Sequence, residues 1–201
     1  MATQGERKAE TRERLLAAAA ELFAERGVEG SSVDAIAERA DRTSGAIYDH
    51  FGGKSGLLFA LLESWTDSAA TVISAEVATA STLEDRLEAI WRNVATPPSG
   101  DGGRWILLEH QLWSSATRDE AAREHLLRRY SAAWRAIDDA LADWAREAGR
   151  PAPERPAGPA IIGVLLGLEM MRRLDPNAID TSTAVSVLLG ALGVTDPEPA
   201  T

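Results

Sequence analysis

Apolar residues recur at helical spacing along nearly the whole chain. Between Thr11 and Arg26, the residues Leu15, Ala18, Ala19, Leu22 and Phe23 form one stripe at i, i+3, i+4, i+7 and i+8. This predicts a helix stopped by a left-handed Gly27, with Val28 folding back on Phe23 as in a Schellman cap. Ser31 or Ser32, the latter preferred, caps a second helix with Val33, Ile36, Ala37 and Ala40 inward. Thr43 caps a third, very short helix with Ile47 inward, and Gly52-Gly53 breaks it. A fourth helix runs from Lys54 to about Thr79 on Leu57, Leu58, Leu61, Leu62 and Trp65. Ser81 or Thr82 then caps a fifth, carrying Leu83, Leu87, Ile90, Trp91 and Val94.

TPPSGDGG, residues 96–103, reads as a loop. Beyond it Trp105, Leu108, Leu112 and Trp113 mark a sixth helix, and Thr117-x-x-Glu120 reads as a capping box opening a seventh. The seventh carries Leu126, Tyr130, Trp134, Ile137, Leu141 and Trp144 and ends at Gly149. After the proline-rich 150–159, an eighth helix covers about 159–174 and a ninth about 181–192, stopped by Gly193. No strand pattern and no repeat interrupts this order. The expectation is an all-α chain of about nine helices.

Composition narrows the chemistry. With no cysteine among 201 residues, disulfides, thiolate metal sites and thiol nucleophiles are excluded. The N-terminus lacks an apolar secretory core, and the longest apolar stretch, Pro159 to Leu168, is about half a membrane span. The expected location is the cytoplasm, without membrane contact. The net charge is −10, and residues 1–55 themselves hold more acidic than basic side chains. The basic footprint usual for a nucleic-acid binder is missing at domain level. Any such reading rests on local arrangement.

That arrangement is specific. Two short helices joined by a tight turn make a helix-turn-helix. The leading helix LLAAAAELFAERGVEG, the SSVDAIAERA helix, the TSGAIYDHF unit and Lys54 with Leu57-Leu58 together resemble the DNA-binding domain of the TetR (tetracycline-repressor) family. The resemblance covers residues 11–58; the remainder matches only in helix number and length. It implies an N-terminal three-helix DNA-binding domain, 1–54, and a C-terminal helical effector-binding and dimerisation domain, 55–201.

Thr43 and Ser44 stand at the positive end of the recognition helix, where hydroxyls and free N–H groups suit phosphates or base edges. Gly45 allows close backbone approach, and Ala46 offers a methyl to thymine. By resemblance Tyr48 and His50 hydrogen-bond phosphates and Lys54 pairs with one; Ser32 and Arg42 complete the candidate DNA-binding set, with Arg12 and Arg39 as further cations. Bracing of the Phe51 core is the alternative role for Tyr48 and His50.

Three departures from the family stand out. Asp41 replaces a usual glycine, Arg42 replaces a usual apolar residue, and Asp34 and Asp49 fall where neutral or basic side chains are common. Either the Arg42 stem packs while its head snorkels toward phosphate, or the turn differs. Carboxylates here repel phosphates unless one accepts a bond from cytosine N4.

In the C-terminal part, the small residues Gly163 and Gly167 of the eighth helix and Ala184, Gly190 and Ala191 of the ninth suit a four-helix homodimer seam, with Leu166, Met170 and Val187 as further interface residues. The alternative is that these faces close the monomer's own core. Trp65, Trp91, Trp105, Glu109, His110, Trp113 and Trp134 are the candidate lining of an effector pocket, the competing role for each tryptophan being plain core. Glu109-His110 with His125 lacks a second ligand at i+3 or i+4, and there is no phosphate-cradling glycine loop. No catalytic residue, metal or cofactor is assigned. The expected partners are double-stranded operator DNA, a second copy of the chain and a small effector, in a regulator that represses until the effector releases it. An interaction module retaining the fold is the remaining alternative.

Overall fold

The computed structural model describes residues 3–96, 104–151 and 155–194, with nothing stated of the side chains at 104 and 105. These residues form nine α-helices and no strand: α1 (Gln4–Arg26), α2 (Val33–Arg39), α3 (Ser44–Phe51), α4 (Lys54–Thr79), α5 (Leu83–Ala95), α6 (Arg104–Ala116), α7 (Glu120–Glu147), α8 (Gly158–Leu174) and α9 (Thr181–Ala191). The all-α reading holds. The expected loop beyond Thr96, to residue 103, and much of the proline-rich connection lie outside the described residues, as does the Trp105 side chain.

Packing divides the chain into two compact units. One holds α1–α3, α4 up to Ser68 and α6 up to Ser114; the other holds the rest of α4 with α5 and α7–α9. In the first, Leu15, Leu22, Phe23, Ile36, Ile47, Leu57, Leu62 and Ile106 are fully buried. Close backbone approach fixes the start of α4: a Cβ on Gly56 would lie 1.8 Å from the Phe51 carbonyl oxygen, so no other residue fits there.

In the second unit the core is Leu83, Leu87, Trp91, Leu141, Trp144, Ile161, Leu165, Ala184 and Leu188. Asp138 Oδ1 accepts from the Ala157 and Gly158 N–H groups at 2.7 and 2.9 Å, and so holds the start of α8 on α7. A Cβ on Gly158 would meet the Trp134 carbonyl oxygen at 2.4 Å. Glu169 is fully buried but neutralised on its own helix, by Arg172 and Arg173 at 2.8 Å each. Arg172 also donates to the Ala95 carbonyl at 2.6 Å, closing the end of α5. Glu76 accepts from Arg92 and Asn93 at 2.9 Å each; Arg92, then Asn93, draws its carboxyl below the usual range.

Four details differ from the sequence reading. First, α1 begins at Gln4, not Thr11: Thr3 and Glu6 form a capping box and Glu10 pairs with Arg14, so an exposed helix persists without an apolar stripe. Second, Gly27 has φ 72° but ψ 170°, so the chain leaves α1 extended and no Schellman pair forms. Third, α7 is capped by Asp119, whose carboxylate accepts from Ala121 and Ala122. Thr117 is displaced because the Ser115 carbonyl captures the Arg118 and Asp119 N–H groups, prolonging the preceding turn. Fourth, Trp113 is 44% exposed, one position off the buried Leu108–Leu112 stripe. Of the paired alternatives, Ser32 and Thr82 are the caps.

Candidate nucleic-acid interface

Ser32 Oγ accepts from the Ala35 N–H at 3.1 Å and starts α2, while Ser31 is buried and its hydroxyl faces the Gly27 and Leu22 carbonyls. The end of α2 governs everything after it. Asp41 is left-handed, with φ 54°. Its N–H donates to the Glu38 carbonyl at 3.1 Å, and the Arg42 N–H to the Ala37 carbonyl at 2.9 Å. These are the two bonds of a Schellman motif, with Asp41 in the glycine position at a cost of about 1 kcal/mol.

Arg42 occupies the next position, where an apolar contact usually closes the motif. Its stem is largely covered and its head turns to α1. Nε donates to Thr11 Oγ1 at 3.3 Å, Nη1 to the Asp41 carbonyl at 2.7 Å, and Nη2 lies 3.5 Å from Glu10. The turn therefore has Schellman geometry, with a polar residue where the motif's apolar contact usually stands.

Thr43 is extended and precedes α3 without a side-chain capping bond. Ile47 is fully buried and Phe51 half-buried beneath the Arg12 guanidinium, 4.9 Å from the ring centre. Gly45, Tyr48 and Asp49 are exposed; Ser44, Ala46 and His50 are partly so. The Tyr48 ring lies over Gly53, whose Cβ would stand 3.6 Å from it. Gly52 and Gly53, at φ 74° and 127°, turn the chain into α4. His50 stands 6.0 Å from the Phe51 ring, in a tilted arrangement. Lys54 Nζ donates to the Val28 carbonyl at 2.9 Å and lies 4.0 Å from Glu29. Arg39 pairs with Glu21 at 2.8 Å and Glu25 at 3.5 Å; Glu21 foremost keeps its guanidinium charged beyond its ordinary range.

The other candidates fall in both units. In the first, Glu109 is fully buried, Trp65 and His110 are half-buried, and His110 Nε2 is enclosed with no hydrogen bond among the described residues. In the second, Trp91 lies in the hydrophobic core, and Trp134 holds an enclosed indole N–H that donates to nothing among the described residues. On α8 and α9, a Cβ on Gly163, Gly167 or Gly190 would meet nothing within 4 Å. Beside them Met170, Val187 and Ala191 are exposed and Leu166 is half-buried, whereas Ala184 is fully buried in the core of its own unit and is not open to a second copy. Met171 and Leu174, not singled out from the sequence, extend that apolar face. The Asp34–Ser44 hydrogen bond between α2 and α3 was also missed, since residues ten apart on two helices carry no periodic signal. Among the described residues no group of acidic, histidine or cysteine side chains could hold a metal ion. Nor is any helix among them long and apolar enough to cross a membrane.

Known proteins share this arrangement. The sequence model described as "Bacterial regulatory proteins, tetR family" matches residues 15–61. A crystal structure of a Rhodococcus sp. protein assigned to the TetR-family transcriptional regulators superposes with a TM-score of 0.73, at 30% identity over 92% of this chain and 98% of that one. The transcriptional regulator SrpR of Pseudomonas putida is 47% identical over 55 residues, 27% of this chain and 26% of its own. The repressor AcnR of Corynebacterium glutamicum is 36% identical over 70 residues, 35% of this chain and 37% of its own. The chain spans between about a quarter and two fifths of the curated relatives first matched. The all-α fold and the helix-turn-helix are those of a class of transcriptional regulators. The chain belongs to the TetR family.

The Arg42 contacts yield a stability test. Removal by Arg42→Ala takes away stem packing and three partly exposed polar contacts, and is expected to cost about 1 kcal/mol in urea unfolding. Arg42→Leu, which restores an apolar contact behind Asp41, is expected to cost less.

Proposed function

We propose that two copies of the chain bind a palindromic operator in the bacterial cytoplasm and repress by occupancy, until a small, largely apolar effector releases them. Residues 1–54 read DNA, and residues 55–201 dimerise and bind the effector. The Schellman turn at Asp41 carries this reading: it sets α2 and α3 as a helix-turn-helix and leaves Gly45, Tyr48 and Asp49 facing outward. Ser32, Arg42, Thr43, Ser44, Gly45, Ala46, Tyr48, His50 and Lys54 supply the contacts. Tyr48 and His50 suit phosphates because no hydrogen bond among the described residues engages either side chain. Lys54 and Arg42 exchange intramolecular partners for phosphates.

Dimerisation is supported by the glycines of α8 and α9. A helical glycine costs roughly 0.5–1 kcal/mol relative to alanine. Gly163, Gly167 and Gly190 have no neighbour in their own unit that requires so small a residue. Close approach of a second copy supplies the reason, with Leu166, Met170, Val187 and Ala191 in the seam. For the effector, the enclosed polar atoms of His110 in one unit and Trp134 in the other are suitable hydrogen-bonding groups, and Trp65, Trp91, Trp105, Glu109 and Trp113 are the further candidates. No catalytic role is assigned.

Tyr48→Phe with Lys54→Ala is expected to weaken binding to all sequences alike and to flatten its salt dependence, read by a salt-titrated mobility shift. Unchanged affinity in a folded double variant contradicts the phosphate role.

Leucine at Gly163 and Gly167 is accommodated by the monomer, where both positions are open. The double variant is expected to elute as a folded monomer on a sizing column and to lose operator binding; a stable dimer places the seam elsewhere.

Effector control predicts reciprocity. A compound found by tryptophan fluorescence should bind more weakly with saturating operator, by the same factor by which it weakens DNA binding, about 5–150-fold. Equal affinities with and without operator show that the compound does not control DNA binding.

A further inference from the structure

The outward side of α3 has unusual chemistry for a surface that meets DNA. Ile47 and Phe51 mark its inner side, and a helix advances about 100° per residue. Gly45 and Asp49 therefore stand opposite the core, and both are exposed. The whole helix, SGAIYDHF, contains no lysine or arginine. The commonest specific contact, a guanidinium or ammonium on guanine O6 and N7, is not available from it.

With Tyr48 and His50 assigned to phosphates above, what remains of the outward side of α3 for the bases accepts hydrogen bonds. Ser44 Oγ donates its one proton to Asp34 Oδ1 on α2. With that proton committed, the Ser44 oxygen can only accept, and the Asp34 carboxylate beside it also accepts. Asp49 adds a second carboxylate near the centre of the outward side. Against a major groove these groups need donors, of which there are two: adenine N6 and cytosine N4. Adenine sets its N7 acceptor beside N6, where a carboxylate is repelled. Guanine O6 and N7 and thymine O4 repel it outright. Cytosine alone offers an amine with no neighbouring acceptor on the same base edge.

We propose that Asp34, held against Ser44, and Asp49 are specificity-determining residues that select cytosine in each half-site through its N4 amine. The inference rests on the DNA-binding reading above. Near phosphates the two carboxylates cost affinity on every sequence, and only a matched amine repays that cost. They act chiefly by rejecting bases. The positive N-terminus of α3 lessens the cost at Asp34, which Ser44 ties to that end.

The test is binding-site selection from random DNA with the full-length protein, followed by affinity measurements on the selected operator. A cytosine in each half-site is expected, and replacing it by 2-pyrimidinone, which lacks the amine, should weaken binding about tenfold. Asp34→Asn keeps an acceptor for Ser44 and gains a donor, so it is expected to admit adenine by pairing with N6 and N7. Asp49→Asn tests the second carboxylate in the same way. Both sites are exposed, so folding is checked by circular dichroism and not expected to change. A selected operator without a required cytosine overturns the proposal. So do asparagine variants that shift affinity uniformly, with base preference unchanged. A folded wild-type protein that selects no sequence overturns the DNA-binding reading together with it.

Discussion

One residue in the left-handed region, Asp41, sets the direction of the recognition helix. Its φ of 54° lets two successive N–H groups return to the Glu38 and Ala37 carbonyls, so α2 ends sharply and α3 begins after only Arg42 and Thr43. Glycine would adopt this conformation without strain; aspartate is among the few side chains that tolerate it. The compensation is visible nearby. Arg42 links the turn to Glu10 and Thr11, and Arg14 spans Glu10 and Asp41. A polar clamp on α1 has replaced the apolar contact that usually follows the turn. The long exposed start of α1 exists in part to supply it.

The same clamp bears on electrostatics. Arg14, Arg39, Arg42 and Lys54 each have a carboxylate within ion-pair distance, which is how a motif richer in acid than base remains compact. These pairs are exposed or partly exposed, and such pairs are worth about 0–1 kcal/mol each. Exchanging one for a phosphate therefore costs little, and the counterions released from DNA drive the exchange. An acidic protein can bind a polyanion on these terms if its cations lie on one side. The binding is then weaker on arbitrary sequence than for a basic protein, and the base contacts carry a larger share.

The helix count, the buried stripes and the helix-turn-helix were legible in the sequence because each rests on periodicity or a short local signal. Leu15, Ile36, Ile47 and Leu62 are buried where the spacing put them. What escaped depends on competition between local groups. The Thr3 capping box carries a helix that no apolar residue announces, and the Ser115 carbonyl holds the Arg118 and Asp119 N–H groups so that Asp119, not Thr117, caps α7. In the candidate site, exposure of Tyr48 and Gly45 follows from helical phase relative to Ile47. The partners of Arg42, Lys54 and Ser44 do not, because each crosses between helices. Tryptophan is the hardest residue to place from sequence: Trp91 lies in a core and Trp113 at the surface, although both occur in apolar helical settings.

Two-fold symmetry would change the arithmetic of an acidic reading helix. One cytosine amine matched by a carboxylate offers modest discrimination, on the order of tenfold, and a monomer with so few free cations would have little affinity to discriminate with. A dimer meets the same base twice, so independent contacts multiply to about a hundredfold. The penalty of placing carboxylates near phosphates is doubled as well. Net affinity on the wrong sequence therefore falls faster than on the right one. On the proposed reading, the glycines of α8 and α9 and the aspartates of α2 and α3 would belong to one design: helix propensity lost at the seam would be recovered as a second half-site, and the second half-site would make an acidic recognition surface selective.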